Sequence, residues 1–306
     1  MTAARRPLTA GRARRLDTRA SMTAQVNAAQ RAGEALLPVH TRMHDDTESA
    51  AFVAHPLLRL ALAHRWLARG ALAMLDRLGP GLHAHIVLRA RYAEAAHAAA
   101  VDAGIDQLVL LGAGFDSTAL RRTPTPRSIF EVDAPTTQRA KRELLARRRI
   151  RPAHPVRWVA CEFETDDFAE RLRAAGFDDT RPALVIWLGV SFYLSAEAFE
   201  TTVARLGRLC AVGSRLVLDY GDPQIADGSS RWPGARRMAR TVARRGEPYR
   251  LGFTPDGVGA VLARHGFSVI EALRVPELIT RFADPNTAWC SADDWLGIVT
   301  AERVPE

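Results

Sequence analysis

The stretch QLVLLGAGFDS, residues 107–117, decides the fold. Leu108 to Leu111 is an apolar run too short for a helix and closed by Gly112, which is the pattern of a buried strand. Gly112, Ala113 and Gly114 then let the backbone turn tightly and approach a ligand, because a Cβ at either glycine would obstruct it. Asp116 stands at an N-cap position and predicts a helix running through Leu120 and Arg121. Strand, glycine turn and helix N-terminus together make the cofactor cradle of a doubly wound α/β sheet.

The next apolar run, RSIFEVDAP (127–135), predicts a second strand ending in Glu131 and Asp133. These acids lie 19 and 21 residues after Gly112, the distance at which a carboxylate commonly meets ribose hydroxyls. A dinucleotide site would want a helix N-terminus free of negative charge for its pyrophosphate, yet Asp116 occupies that spot. Ser117 also fits poorly where that fingerprint has its third glycine. A carboxylate at the turn suits a cofactor with a cationic centre and no phosphate, which describes S-adenosylmethionine.

Outward from this block, VRWVAC, PALVIWLGVSFYL, SRLVLDYGDP, FSVIEALRV and LGIVTAERV predict five further strands, seven in all. Residues 22–37 and 85–104 have helical composition, and Leu57 to Leu78 predicts one long buried or lid-packing helix ended by Gly79. Residues 224–250 interrupt the α/β alternation with a Gly-Ser-Ser-Arg-Trp-Pro segment and an Arg-rich helix, where a substrate lid is expected. The organisation expected is a basic leader over 1–21 and one domain over 22–306. That domain divides into a helical cap (22–104) and an α/β core (105–306).

The chain of 306 residues is 47% hydrophobic with a formal charge of +8, enough for one large α/β domain. Its cations are almost all arginine, Lys141 being the only lysine, a bias that fits a GC-rich genome better than a polyanionic partner. Arg5, Arg6, Arg12, Arg14, Arg15 and Arg19 crowd the leader, which reads as a solvated tail or a transit peptide. Cys161, Cys210 and Cys290 are widely spaced and match no metal or redox motif. A cytoplasmic protein with no membrane partner and no metal is expected.

LLGAGFDSTALRR, FEVDAPTTQRAK and LVIWLGVSFYL, in that order and spacing, resemble the leucine carboxyl methyltransferase family, from about Thr23 onward. Its bacterial branch includes many tailoring O-methyltransferases of secondary metabolism. The resemblance implies a class I, Rossmann-like methyltransferase sheet with S-adenosyl-L-methionine as cofactor. It places Arg89, from a stretch similar to the family's RTR(F/Y) motif, on the carboxylate of the cofactor's methionine part. It places Glu162 and Phe163 around the adenine. Arg31 lies in a segment similar to the one that covers the family's cofactor site, and reads equally as a surface residue. The family's glutamate before the loop glycine is Leu188 here, so either that contact is lost or carbonyls of Leu188 and Gly189 replace it. Tyr193 matches the family's loop tyrosine and is the candidate to orient an acceptor oxygen, with Tyr249 and Arg250 on the substrate side.

The function expected is methyl transfer from S-adenosylmethionine to a carboxylate or acidic hydroxyl of a small molecule. No histidine lies in a matched motif, which favours an acceptor needing no base. Two alternatives remain at this point. A cofactor-binding protein without transfer activity is compatible with Leu188, and a nucleic-acid methyltransferase with the basic charge, although no NPPY-like loop for a flipped base is present.

Overall fold

The structure is a computed structural model that describes residues 22–121, 128–162, 166–244, 246–283 and 289–305. The leader 1–21 and Phe163 lie outside the described residues. All five residues of the first strand, β1 (Gln107–Leu111), are buried, which is why it is apolar throughout rather than alternating. It pairs in parallel with β2 (Ser128–Asp133) on one side and β4 (Leu184–Trp187) on the other.

With β3 (Val156–Ala160), β5 (Arg215–Gly221), β6 (Phe267–Arg274) and β7 (Leu296–Arg303), the sheet has seven strands in the order β3-β2-β1-β4-β5-β7-β6. The last strand runs antiparallel to both its neighbours, β5 and β6. The order reverses between β1 and β4, and in such sheets ligands bind outside the carboxyl ends of the strands at that point.

Alternate residues of the strands enter different cores. Leu108, Leu110, Leu184 and Ile186 face a cluster shared with Ala84, Val87 and Leu88 of α4 (Leu82–Asp102). Val109, Leu111, Val185 and Trp187 face the opposite cluster. There they meet side chains of α6 (Phe168–Ala174), α7 (Ala196–Leu209) and α9 (Pro255–Arg264). Between these faces the doubly wound arrangement follows from a period of two in the strands.

Four helices precede the sheet: α1 (Met22–Ala35), α2 (Pro56–Ala61), α3 (Arg65–Leu78) and α4. The single buried helix expected over 57–78 is therefore corrected. His64 is extended (φ −151°, ψ 142°) and its Nδ1 accepts from Trp66 N–H at 3.3 Å, so the chain restarts a new helix there. No residue of α2 is buried, and in α3 only Ala68 and Leu72 are.

The helix expected to open at Asp116 is also corrected. The chain makes a 3-10 turn over Thr118–Leu120 instead. Asp116 Oδ1 accepts from Thr118 N–H at 2.7 Å, and Ser117 gives its hydroxyl to Asp46 at 2.8 and 2.9 Å. Elements from the N-terminal region pack beside this turn: Phe115 shares a cluster with Ala28 and Ala29 of α1 and with Phe52.

Lys141 lies on α5 (Pro135–Arg147), which proline opens as a first-turn residue. It is buried, donates to Glu131 Oε2 at 2.6 Å and lies 5.2 Å from the centre of the Phe52 ring. Burial pushes Glu131 up to about 7 despite that ammonium. Between β6 and β7 runs α10 (Val275–Phe282), an element the sequence reading lacks. Among the described residues no helix is long and apolar enough to cross a membrane. Removing one partner of a buried pair strands the other, so Lys141→Met should cost about 3 kcal/mol in denaturant unfolding. The double variant with Glu131→Leu should recover part of that loss.

Candidate active site

The turn after β1 is built by glycine where other residues would be strained. Gly112 has φ +71° and Gly114 φ +48°. A Cβ on Gly112 would meet Val190 Cγ2 at 2.5 Å, so the turn lies directly against the loop after β4. The amides of Gly112 and Ala113 both donate to Val132 O, at 2.8 and 3.1 Å, fixing the turn to the end of β2.

Of the two acids on β2, the structure separates the roles. Asp133, at the strand end, accepts from the amides of Gly114 and Ala134 and so braces the turn. Burial raises its carboxyl above the ordinary range, against the pull of those two amides. Glu131, two residues earlier, gives Oε2 to Lys141, while its Oε1 is buried with no hydrogen-bond partner among the described residues. Glu162 follows the end of β3, half-buried, with its amide donating to Asp166 Oδ2 at 2.9 Å.

Asp219, at the end of β5, is the centre of the second half of the site. It is fully buried and takes three donors, two from α4 and one from the loop after β4. Arg89 Nη1 of α4 and His85 Nε2 both meet Oδ2, the latter at 3.2 Å, while Gly189 N–H donates to Oδ1 at 2.8 Å. Burial opposes ionisation of this carboxyl, but Arg89 and His85 outweigh it and hold it below the usual range. Burial lowers His85, so the ring is neutral, with its proton on the Nε2 that faces Asp219.

At the position of the family glutamate the chain has Leu188, whose side chain offers no polar group. Leu188 packs half-buried against the core, and the acid that meets Arg89 comes from the neighbouring strand. Gly189 (φ +76°) leaves room for this, since a Cβ there would stand 3.0 Å from Arg89 Nη2.

Arg89 and Gly189 form one wall of a cavity of about 370 Å³. Phe192, Tyr193 and Tyr249 line it with rings about 5 Å apart, and Leu75, Leu78, Leu82 and Ile86 add an apolar side. Thr23, Asn27 and Gln30 come from α1. The fourth side is α8 (Pro233–Arg244), within the insertion over 224–250, which contributes Arg237, Arg240 and Arg244. No acidic side chain lines the cavity among the described residues. Burial raises both tyrosine phenols, so they act as hydrogen-bond donors rather than bases. Arg250 is not among the lining residues; its side chain is exposed and its amide donates to Phe192 O at 2.7 Å.

A buried network fastens α1 over the glycine turn. Arg31 Nε donates to Asp46 Oδ2 at 2.9 Å, and its Nη2 donates to Phe115 O, inside the turn, at 2.8 Å. Asp46 also faces Arg121 at 3.2 Å, and these cations hold its carboxyl well below the usual range against the cost of burial. Burial and Arg121 push His44 down to about 3. Asp46, His85 and the three α8 arginines went unnoticed as site residues in the sequence. Asp219 was visible only as an acid ending a strand.

A reversed α/β sheet of this order, with a glycine turn and a buried arginine at the reversal, defines the Rossmann-like fold of class I methyltransferases. The leucine carboxyl methyltransferase family model matches residues 24–207, and the chain belongs to that family. A relative from Mycolicibacterium paratuberculosis is 32% identical over 219 residues, 69% of this chain and 68% of the relative. One from Parafrankia sp. is 35% identical over 198 residues, 64% of this chain. That match spans 62% of the Parafrankia protein, and matches to several mycobacterial relatives span about half of theirs. These relatives carry the provisional name S-adenosyl-L-methionine-dependent methyltransferase.

Among solved structures, a DUF574 family protein from Streptomyces avermitilis aligns with TM-score 0.59 and 19% identity. That alignment covers 95% of this chain and all of the other. A provisionally named methyltransferase from Thermobifida fusca gives TM-score 0.56 and 18% identity over 78% of this chain and 89% of its own. At such identity the likeness concerns the fold. Asp219→Ala leaves Arg89 buried without its partner and should cost about 3–5 kcal/mol in equilibrium unfolding. Asp219→Asn, which keeps an acceptor for Arg89, should cost less.

Proposed function

We propose that this protein is an S-adenosyl-L-methionine-dependent O-methyltransferase that methylates a carboxylate or acidic hydroxyl of a small molecule, as a tailoring step of secondary metabolism in the cytoplasm. The observation that carries this reading is the cavity itself, whose described lining is largely apolar, holds no acid and is rimmed by Arg237, Arg240 and Arg244. Cations over an apolar chamber select an anion with a hydrophobic body. Three cysteines outside any disulfide fit a reducing compartment.

The residues present fit the methyl donor. The Gly112–Gly114 turn and Asp133 form a cradle in which Asp133 retains lone pairs for ribose hydroxyls beyond its two amide bonds. Arg89, held against Asp219 on the cavity wall, keeps donors for the carboxylate of the methionine part, with Gly189 beside it. In this reading Asp116 at the turn, Glu162 near the end of β3 and Phe163 complete the donor side.

S-adenosylmethionine supplies an activated methyl group on a sulfonium. The chain's own task is then to aim the acceptor and exclude water. The α8 arginines hold the acceptor's negative charge, and Tyr193, whose buried phenol donates, orients its oxygen beside Tyr249. A carboxylate is already ionised near neutral pH, so no proton need be removed. The absence of any histidine from the described lining fits this requirement.

Incubation with methyl-labelled donor and paired acids and amides of one aromatic or aliphatic body tests the reading. Base-labile methyl esters should form from the acids, with no label on the amides. Label on nucleic acid, or on no acceptor while donor binds, would contradict it. Asp133→Ala should weaken donor binding by about 1–3 kcal/mol in calorimetry, the cost of an unmatched polar partner.

A further inference from the structure

The segment between Pro56 and Leu78 presents an apolar surface that none of the described residues covers. Leu57 (69% exposed), Leu60 (61%), Trp66 (66%), Leu67 (49%), Met74 (57%) and Leu78 (50%) all stand out from α2 and α3. Half of the exposed large hydrophobic side chains among the described residues therefore sit in this one stretch. Scattered single exposures need no explanation, but a contiguous patch marks an interaction surface. Leu67, Met74 and Leu78 follow one another at seven and four residues, so they share one face of α3.

The charge on this segment is of one sign. Arg59, Arg65, Arg69 and Arg77 are exposed and have no ion-pair partner among the described residues. The only acid is Asp76, half-buried and accepting from Ser291 N–H at 2.9 Å. Arg65 lies 4.9 Å from the ring centre of Trp66, and Arg69 5.4 Å from that of Trp289. Arginines rimming leucines and an exposed tryptophan are the composition of a helix that lies in a lipid headgroup region.

We propose that α2 and α3 dock the protein onto an anionic membrane surface. The leucines, Trp66 and Met74 enter the headgroup boundary, and the four arginines meet lipid phosphates. This departs from the expectation of no membrane partner, and it requires no spanning helix. A second copy of the chain fits the face less well. A two-fold contact would set the four arginines against four more with one engaged acid between them. An anionic bilayer neutralises all of them. Leu78 belongs both to this face and to the cavity wall, so a docked protein turns its cavity toward the lipid.

Flotation of the full chain with vesicles of phosphatidylcholine alone, or mixed with phosphatidylglycerol, tests this without reference to methyl transfer. Wild-type protein should float with the anionic vesicles and not with the neutral ones. The exposed-site variant Trp66→Ser/Leu67→Ser/Met74→Ser should bind at least about tenfold more weakly, given the methylene and ring surface it withdraws. Arg65→Gln/Arg69→Gln should lose most of the anionic preference. Brominated lipid should quench the emission of wild-type protein more than that of Trp66→Phe, a readout independent of the multiple variant. Absence of flotation, or equal flotation of the serine variant, overturns the proposal. So does a dimer in light scattering that the serine variant converts to monomer, which would make the face a self-association surface.

Discussion

The buried carboxylate of Asp219 is the constraint on which the site depends. An ion with no solvent is costly unless every lone pair is used, and Asp219 uses its two oxygens on an arginine, an imidazole and a backbone amide. These donors come from α4 and from the loop after β4, so one residue on β5 fixes their mutual position. That is how Arg89, 130 residues away in the chain, comes to stand at the wall of the cavity with its side chain held in place.

A second buried acid repeats the device on the other side of the glycine turn. Asp46 gathers Arg31 and Arg121, and Arg31 in turn holds the carbonyl of Phe115. The helical region before the sheet is thereby tied to the turn it covers. Thr23 adds a contact across the cavity, its hydroxyl donating to Glu247 Oε2 at 2.7 Å just beyond α8. Cap, turn and insertion therefore close on the cavity through specific polar bonds, while the apolar sheet beneath supplies the rigidity.

The central strands β1 and β4 were legible in the sequence because they are short apolar runs buried along their whole length, whereas the edge strands β3 and β6 are largely half-buried or exposed. The glycine turn was legible for the steric reason that Gly112 and Gly114 adopt positive φ. What the sequence concealed are relations between distant residues. Glu131 and Asp133 are two residues apart on one strand face, and only the position of Lys141 on α5 shows which of them is already engaged. The acid for Arg89 could not be chosen among 34 by spacing alone. The segment 57–78 misled because apolar content ordinarily means burial, whereas here the side chains face outward. Arg237, Arg240, Arg244 and Arg250 are close in sequence and all exposed, and only the folded path of the chain shows that the first three line the cavity while Arg250 does not.

The central claim is that Arg89, braced by Asp219, grips an amino-acid carboxylate on the nucleoside bound at the turn. Calorimetric titration with S-adenosylhomocysteine and with 5′-methylthioadenosine, which keeps the nucleoside and lacks that carboxylate, tests it most directly. A charge-assisted hydrogen bond is worth about 1.5–3 kcal/mol, so the truncated ligand should bind at least about tenfold more weakly. Equal affinity for the two, or binding of neither, would contradict the account.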